Sequence, residues 1–247
     1  MSEAEPPAFT SQSGFDLRFD WGESGLRALA GAAKTFVIVD VLSFTSCVSL
    51  ACGRGARIFP YPWQDARGAA FAEERAALLA VPRGSGGYSL SPASLAAVSR
   101  GERVVLPSPN GSQLSFQAAK SGQVFAGALR NAAALARRLE RAPAPIAVIA
   151  AGERWPDGTL RPCLEDCLGA GALLARLPGS ASPEARLARA AFEAAAPSLA
   201  RALRECASGI ELSERGYAHD VALAAELDAD PTVPLLCDGA FAAEAAP

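Results

Sequence analysis

The chain of 247 residues is predicted to have an α/β fold, with a parallel or mixed sheet between two layers of helices. Two observations carry this prediction. Short apolar runs alternate with helical patterns from end to end, and polar side chains follow several of those runs. Half of the residues are hydrophobic, enough to bury one large core or two modest ones. We expect a loose tail over residues 1–12 and a single domain over 13–247. Two α/β lobes divided near residue 125 are the alternative.

The order of predicted elements supports the alternation. Strands are predicted at 35–40, 57–61, 103–106, 124–126, 146–151 and 233–237, after a half-buried strand in which Phe15, Leu17 and Phe19 alternate with polar residues. Helices are predicted at 22–33, 45–53, 63–81, 94–100, 113–120, 131 onward, 164–177, 183–207 with a break near Pro197, and 213–227. Residues 82–92 form a loop rich in glycine and serine, a composition typical of mobile or functional loops.

The overall composition excludes several classes of protein. The net charge of −3 is spread over both signs without a basic stripe, so we expect no nucleic-acid surface. No apolar run reaches the roughly 20 residues that cross a bilayer, and the acidic N-terminal segment is not a signal peptide. We therefore expect a cytoplasmic protein without membrane contact. A homodimer is one possible oligomeric state.

The six cysteines do not indicate a disulfide scaffold in a chain of this length. A zinc site at Cys163 and Cys167 would need two more soft ligands nearby, and the sequence offers none. Packed free thiols are the favoured interpretation.

Asp40 ends an apolar run and opens onto a loop of hydroxyls at Ser43, Thr45 and Ser46. Because ligands of open α/β sheets bind beyond the carboxyl ends of strands, this carboxylate could hold Mg²⁺, which prefers oxygen ligands. An aspartate that only caps the next helix is the alternative.

Residues 108–112, with the sequence SPNGS, lie between a predicted strand and a predicted helix. Gly111 permits a tight turn, and the helix N-terminus beyond it presents unpaired N–H groups that can bind phosphate. Ser108, Asn110, Gly111 and Ser112 are therefore candidate phosphate ligands. An ordinary proline–asparagine turn is the alternative.

Glu165 and Asp166 occupy the first turn of a predicted helix, where the helix dipole stabilises negative charge. Both are candidate metal ligands. Because neighbouring side chains on a helix point about 100° apart, we expect at most one of them to contact the ion directly.

Three further positions carry candidate roles. Arg130 could pair with an anion or a surface carboxylate, and Asn131 could bind phosphate or simply cap its helix. Glu74 is a candidate catalytic carboxylate if the fold turns it inward, and otherwise a solvated residue. The single histidine, His219, is far in sequence from these segments, which disfavours a Ser-His-Asp or histidine-based site.

In their order, these segments resemble the 2-phosphosulfolactate phosphatase family. Residues 40–46, DVLSFTS, correspond to a family motif close to DVLRATST. A Glu-Arg pair at 74–75 and a loop that ends in Ser-Pro at 90–92 also match. So do a hydroxyl-rich turn with Asn-Gly at 108–112 and a Gly-x-x-x-Asn-Ala segment at 127–132. The last match is an Ala-Gly segment with a later Glu-Asp pair at 150–172. The resemblance runs from about residue 15 to 240. It implies an α/β fold, Mg²⁺ dependence and removal of phosphate from 2-phosphosulfolactate.

The chain departs from the family pattern at three places. The family arginine after Asp-Val-Leu is Ser43 here, the asparagine before Ser-Pro is Leu90, and the cysteine of Cys-Ala-Gly is missing from the stretch at 150–152. An arginine offers a planar, bidentate anion contact that serine cannot replace. The acidic positions, in contrast, are all present.

Two hypotheses follow. The first is an Mg²⁺-dependent phosphatase, a phosphoric monoester hydrolase, acting on a small phosphorylated 2-hydroxy acid. Either water or Asp40 would attack the phosphorus, and the residues named above would hold metal and phosphate. The second is a non-catalytic protein that binds a small phosphorylated metabolite, motivated by the changes at Ser43 and Leu90.

Overall fold

A nine-stranded mixed sheet organises the computed structural model, which describes residues 6–62 and 65–244. The strands in chain order are β1 (Leu17–Trp21), β2 (Thr35–Val39), β3 (Arg57–Tyr61), β4 (Leu78–Leu79), β5 (Arg103–Pro107), β6 (Gln123–Gly127), β7 (Ile146–Ala150), β8 (Glu153–Arg154), β9 (Leu160–Arg161), β10 (Pro234–Cys237) and β11 (Ala240–Ala243). The helices are α1 (Gly22–Ala30), α2 (Phe44–Gly53), α3 (Arg67–Glu74), α4 (Pro92–Leu95), α5 (Gly111–Ala118), α6 (Ala132–Leu139), α7 (Leu164–Leu174), α8 (Pro183–Ala195), α9 (Leu199–Glu205), α10 (Ala207–Glu214) and α11 (Ala218–Ala224).

The sheet consists of two parallel groups of strands joined by an antiparallel hairpin. The strand order is β1-β7-β2-β6-β10-β11-β3-β5-β4, and β8 pairs only with β9 in a separate small ribbon. Strands β1, β7, β2 and β6 run parallel, as do β3, β5 and β4. The β10–β11 hairpin pairs antiparallel with β6 on one side and with β3 on the other. Each parallel group thus contributes its own set of carboxyl-terminal loops.

Helices cover both faces of the sheet, as the alternation along β2 shows. Val37 and Val39 pack into a core with α6, α7 and α8, whereas Phe36 and Ile38 pack into a second core with α1, α2 and α5. All four side chains are fully buried. This is why β2 has a continuous apolar sequence rather than an alternating one. The predicted α/β fold with three layers and a mixed sheet is confirmed.

The predicted helix at 63–81 is wrong over its second half. Trp63 and Gln64 lie outside the described residues, and α3 ends at Glu74. The chain then turns at Ala76, whose φ is 46°, and Leu78–Leu79 pair with β5 as a short edge strand. The apolar run at 77–81 is therefore bound to the sheet.

Two other elements also differ from the prediction. The predicted helix at 213–227 is divided at Gly216, whose φ of +88° favours glycine and ends α10 before α11 begins. Strand β11 was not predicted, because its sequence AFAA lacks the β-branched residues typical of strands.

At the N-terminus, residues 1–5 of the predicted tail lie outside the described part of the chain. Ala8–Ser11 form a short 3-10 helix, and the Gln12 side chain exchanges two hydrogen bonds with the backbone of Phe19. The division into one domain or two lobes stays a prediction. Among the described helices, none combines the length and the apolar character needed to span a membrane.

Helix α7 approaches β2 closely because its first glycine has no side chain. A Cβ atom added at Gly169 would lie 2.6 Å from Cγ2 of Val41 and 2.9 Å from Cγ1 of Val39. Both valines are fully buried and have no room to move away. The glycine thus lets α7 lie against the residues on either side of Asp40.

We expect Gly169→Ala to lower the free energy of unfolding by about 1–3 kcal/mol, the usual cost of overpacking a core. Gly31→Ala is the matched control, because a Cβ there meets nothing within 4 Å at an ordinary helical φ of −71°. Urea denaturation of both variants measures the difference. Equal stabilities would show that α7 can shift without cost.

Candidate active site

A cavity of about 550 Å³ collects several of the candidate residues. Its wall includes Asp40 and Ser43 after β2, Ser108 and Asn110 after β5, and Glu153 after β7. Arg83 of the 82–92 loop and Leu212 of α10 also line it. Asp220 of α11 contacts Arg83. The strand ends of both parallel groups therefore meet at one cavity, as their polar residues had indicated.

Asp40 is buried against backbone donors. Its Oδ1 accepts a hydrogen bond from the Phe44 N–H at 3.1 Å, and its Oδ2 accepts one from the Gly111 N–H at 2.9 Å. The carboxylate thus caps α2 and also binds the first residue of α5. The pKa of Asp40 is raised to about 7, chiefly because the carboxyl is buried. The two N–H groups oppose this rise, and the charges of Glu153 and Glu165 add to it.

Asp166 lies behind Asp40 and ties two strand ends together. Its Oδ1 accepts from the Val41 N–H at 2.7 Å, and its Oδ2 accepts from the Gly152 N–H at 2.8 Å. Burial, together with the charges of Glu165 and Asp40, raises the pKa of Asp166 well above its usual range. Neither Asp166 nor its neighbour Glu165 lines the cavity. Burial raises the pKa of the Cys206 thiol, and the charge of Glu165, which is itself buried, adds to this rise.

Two residues of the 108–112 turn donate their hydrogen bonds to other parts of the protein. The Gly111 N–H is donated to Asp40, and the Ser112 hydroxyl donates to the Leu106 carbonyl at 2.8 Å. Ser108 and Asn110, in contrast, line the cavity. The Ser108 hydroxyl oxygen accepts from the Asn110 N–H at 3.3 Å, which leaves its proton to be donated. Two of the four phosphate ligands predicted in this turn therefore line the cavity.

Only glycine fits at position 111. An added Cβ would lie 2.4 Å from the Phe44 ring and 2.7 Å from the Asp40 carboxylate. The backbone of α5 can therefore approach Asp40 closely enough to donate its N–H. The close approach expected of Gly111 is real, but its partner is a carboxylate of the protein.

Glu153 is a cavity residue that the sequence analysis did not select. Its Oε1 accepts from the Asn110 amide at 2.6 Å, which links the ends of β5 and β7. Burial raises the pKa of Glu153. A signal was present, because Glu153 follows the buried run at 146–151 as Asp40 follows the run at 35–39.

Arg83 is the second residue that the sequence analysis missed. It begins the 82–92 loop, and its guanidinium forms an ion pair with Asp220 of α11 and donates to the Ser43 hydroxyl at 2.8 Å. The guanidinium also lies 5.0 Å from the centre of the Tyr217 ring. Because residues up to 81 were predicted as helix, the position of Arg83 beside the cavity could not be seen.

Arg130 and Asn131 lie elsewhere in the structure. Arg130 donates to the Leu223 carbonyl at 2.7 Å and pairs with Glu226, so it fixes the segment after α11. Asn131 is fully buried, accepts from the Ala128 N–H at 2.8 Å, and donates to the carbonyls of Ala126 and Thr232. Both side chains have internal partners and do not line the cavity.

The Glu-Arg pair at 74–75 is also outside the cavity. The Glu74 side chain is 73% exposed and pairs with Arg75, which stacks on the Phe71 ring. The structure therefore does not bring Glu74 to the other acidic residues, and its predicted catalytic role gains no support from its position. His219 is exposed on α11.

Within residues 6–62 and 65–244, no group of three His, Cys, Asp or Glu side chains converges as a metal cage would require. Asp40, Glu165 and Asp166 thus do not form a three-carboxylate cage. All six cysteines are free, and those at 47, 52, 163 and 206 are buried, as packed thiols would be.

Comparison with known proteins identifies the family. The family model described as 2-phosphosulpholactate phosphatase matches residues 26–239. A protein of Gloeobacter violaceus named "Probable 2-phosphosulfolactate phosphatase" is 30% identical over 213 residues, which cover 83% of this chain and 89% of the relative. The chain therefore belongs to the 2-phosphosulfolactate phosphatase family, and it is a phosphoric monoester hydrolase, as its sequence motifs predicted.

Proposed function

We propose that this protein is an Mg²⁺-dependent phosphatase that hydrolyses a small phosphorylated 2-hydroxy acid similar to 2-phosphosulfolactate. The observation that supports it most is the placement of Asp40, Glu153, Ser108 and Asn110 around one cavity. This set combines carboxylates that can bind a cation with hydroxyl and amide groups that can donate to a phosphate. Family membership favours this hypothesis over a non-catalytic binding protein.

The residues present suit a hard, hydrated cation. Mg²⁺ usually binds through one or two carboxylates and completes its shell with water and substrate phosphate, so it does not need a cage of three side chains. Asp40, Glu153, Glu165 and Asp166 interact electrostatically, and the carboxyls of Asp40 and Asp166 have raised pKa values. A cation at Asp40 would relieve this repulsion. Asp40 is the direct ligand in this proposal, and Asp166 positions it through the Val41 N–H.

The chain's own residues have distinct tasks in the reaction. Ser108 and Asn110 orient the phosphoryl group, and Asp40 holds the cation. When bound, the cation would neutralise negative charge on the phosphoryl group. Glu153 orients the attacking water and accepts its proton, for which its raised pKa is suited. The P–O ester bond breaks as the new P–O bond forms, and the leaving oxygen gains a proton.

Attack by Asp40 itself is the competing route. Both of its carboxylate oxygens already accept backbone N–H groups, which favours a ligand over a nucleophile. Acid-quenched mass spectrometry during turnover separates the two routes. Water attack predicts unmodified Asp40, whereas attack by the carboxylate would leave a phosphoryl group on it.

The substrate of this chain is set by a cavity wall that differs from the family pattern. Ser43 and Leu90, two of the three departures, both line the cavity. The third, at 150–152, begins with the last residue of β7 and directly precedes Glu153 in the chain. The exact ester therefore depends on contacts that these residues alter, while the phosphoryl side of the cavity keeps its polar groups.

We expect Glu153→Gln to lower kcat by about 100-fold or more, because a positioned base contributes roughly 10²–10⁴ to a rate.

Asp40→Asn is expected to abolish Mg²⁺-dependent phosphate release from 2-phospholactate. Glu193→Gln, an exposed change on α8, is the control and should retain wild-type turnover. Phosphate release measured with Mg²⁺ and with chelator checks these outcomes, and full activity of Asp40→Asn would exclude the proposal.

The raised pKa of Asp40 also predicts how stability changes with pH. Its carboxyl holds a proton more tightly in the folded protein, where its pKa is about 7, than in the unfolded chain, where it is 3.8. The contribution to stability is therefore present at low pH and is lost as the pH rises from about 4 to 7. In chelator, we expect the free energy of unfolding to fall over this range by at least about 1.4 kcal/mol, the equivalent of one pKa unit.

Millimolar Mg²⁺ should offset that loss at pH 8, where the carboxylate is ionised, and have much less effect at pH 5, where protons compete. Thermal unfolding at both pH values, with and without Mg²⁺, measures this difference. Asp40→Asn should remove the Mg²⁺-dependent shift. An equal shift at pH 5 and pH 8 would argue against a cation at Asp40.

A further inference from the structure

The cavity wall carries charges of both signs. Asp40 and Glu153 line it together with Arg83, whose side chain is only 12% exposed. The second arginine of the wall, Arg215, is 58% exposed and pairs with Glu211 one helical turn away, so water screens its charge. Among the described wall residues, Arg83 is therefore the cation best placed to act on a ligand in a low-dielectric environment.

The guanidinium of Arg83 is held in place by other residues of the protein. Asp220, which pairs with it, is itself fixed, because its Oδ1 accepts from the Ser91 hydroxyl at 2.7 Å and from the Ala93 N–H at 3.1 Å. Tyr217 lies alongside the guanidinium plane. A long side chain that is already ordered loses little entropy on binding, which favours a recognition role.

The same guanidinium still has donors to offer. An arginine side chain carries five N–H donors in a planar fork. The ion pair with Asp220 uses one, and the bond to the Ser43 hydroxyl uses another. Because Arg83 lines the cavity, its remaining donors are available to an oxyanion there. A carboxylate or sulfonate group matches this fork in shape and charge.

Arg83 also reaches the position at which the chain departs from its family. Ser43 stands where the family motif has an arginine, and its hydroxyl is the group to which Arg83 donates. The small side chain at 43 leaves room for the guanidinium that arrives from the 82–92 loop. The cavity thus keeps an arginine beside residue 43, although a different segment supplies it.

We propose that Arg83 is a specificity-determining residue that binds the non-reacting acidic group of the substrate, a carboxylate or sulfonate on the carbon skeleton of the phosphate ester. This inference rests on the proposed function. The phosphoryl group binds at Asp40 and Glu153, and the second acidic group binds at Arg83. Esters without that group lose this contact and are poorer substrates.

Two esters test this role. In 2-phospholactate a carboxylate occupies the position that a methyl group has in isopropyl phosphate, and the two are otherwise alike. We expect wild-type protein to prefer 2-phospholactate in kcat/KM. Arg83→Lys keeps a charge for Asp220 but loses the planar fork, and it should reduce this preference at least about tenfold, through KM for 2-phospholactate. Its kcat/KM for isopropyl phosphate should stay within about threefold of wild type.

Two more variants make the comparison decisive. Ser43→Ala removes one partner of Arg83 without touching the ion pair, and it should reduce the preference by a smaller factor. Arg201→Gln, an exposed change on α9, is the control and should leave the preference unchanged. Thermal unfolding of each variant shows whether it is folded.

The outcomes distinguish a failure of the Arg83 role from a failure of the proposed function. An unchanged preference in Arg83→Lys, or an equal loss for both esters with lower thermal stability, would mean that Arg83 only supports the fold and would overturn the inference while leaving the phosphatase in place. Loss of the preference in Arg215→Gln instead would assign the contact to the wrong arginine and overturn it as well. Absence of turnover of either ester by wild-type protein would overturn both proposals.

Discussion

Four backbone N–H groups donated to two buried aspartates hold the cavity edge of this fold together. Asp40 binds the starts of α2 and α5, and Asp166 binds the residues that follow β2 and β7. A buried ionised carboxylate is costly unless it is well hydrogen-bonded, and backbone N–H groups at strand and helix ends are donors that need acceptors. Each aspartate therefore satisfies two donors that the chain could not otherwise pair.

The same arrangement leaves an unbalanced charge. Asp40, Glu153, Glu165 and Asp166 are close enough to interact, and backbone dipoles oppose their burial without neutralising it. Arg83, a largely buried cation of the cavity wall, is paired with Asp220. Buried charged groups that raise one another's pKa values in this way cluster at functional sites.

Sequence patterns predicted the position of this edge of the sheet because short, local stretches of sequence determine it. A continuous apolar run predicts a buried strand, and a carboxylate at its end predicts a residue at the sheet edge, so β2 and Asp40 could be placed correctly. The acceptor to which a hydrogen-bond donor binds, in contrast, can lie far away in the sequence. Gly111 was expected to offer its N–H to phosphate, but Asp40, 71 residues away, accepts it. A sequence shows which hydrogen-bond donors are present, but it does not show which acceptor binds each of them in the folded protein.

Contacts made by distant segments explain the remaining differences. Arg130 and Asn131 do lie at the start of α6, but the segment from Leu223 to Thr232 binds their side chains. Arg83 was hidden because Leu78–Leu79 have helical propensity yet pair with β5. In each case the tertiary partner, which sequence spacing does not reveal, decides where the side chain points.

The position of the β10–β11 hairpin has a consequence for biosynthesis. These strands follow all the other described strands in the chain, yet they lie in the middle of the sheet, between β6 and β3. Until residues 234–243 emerge from the ribosome, β6 and β3 each present an open edge that can pair with another polypeptide. The nascent chain therefore carries both aggregation-prone edges while residues 128–233 are being made, and the β10–β11 hairpin then covers both of them.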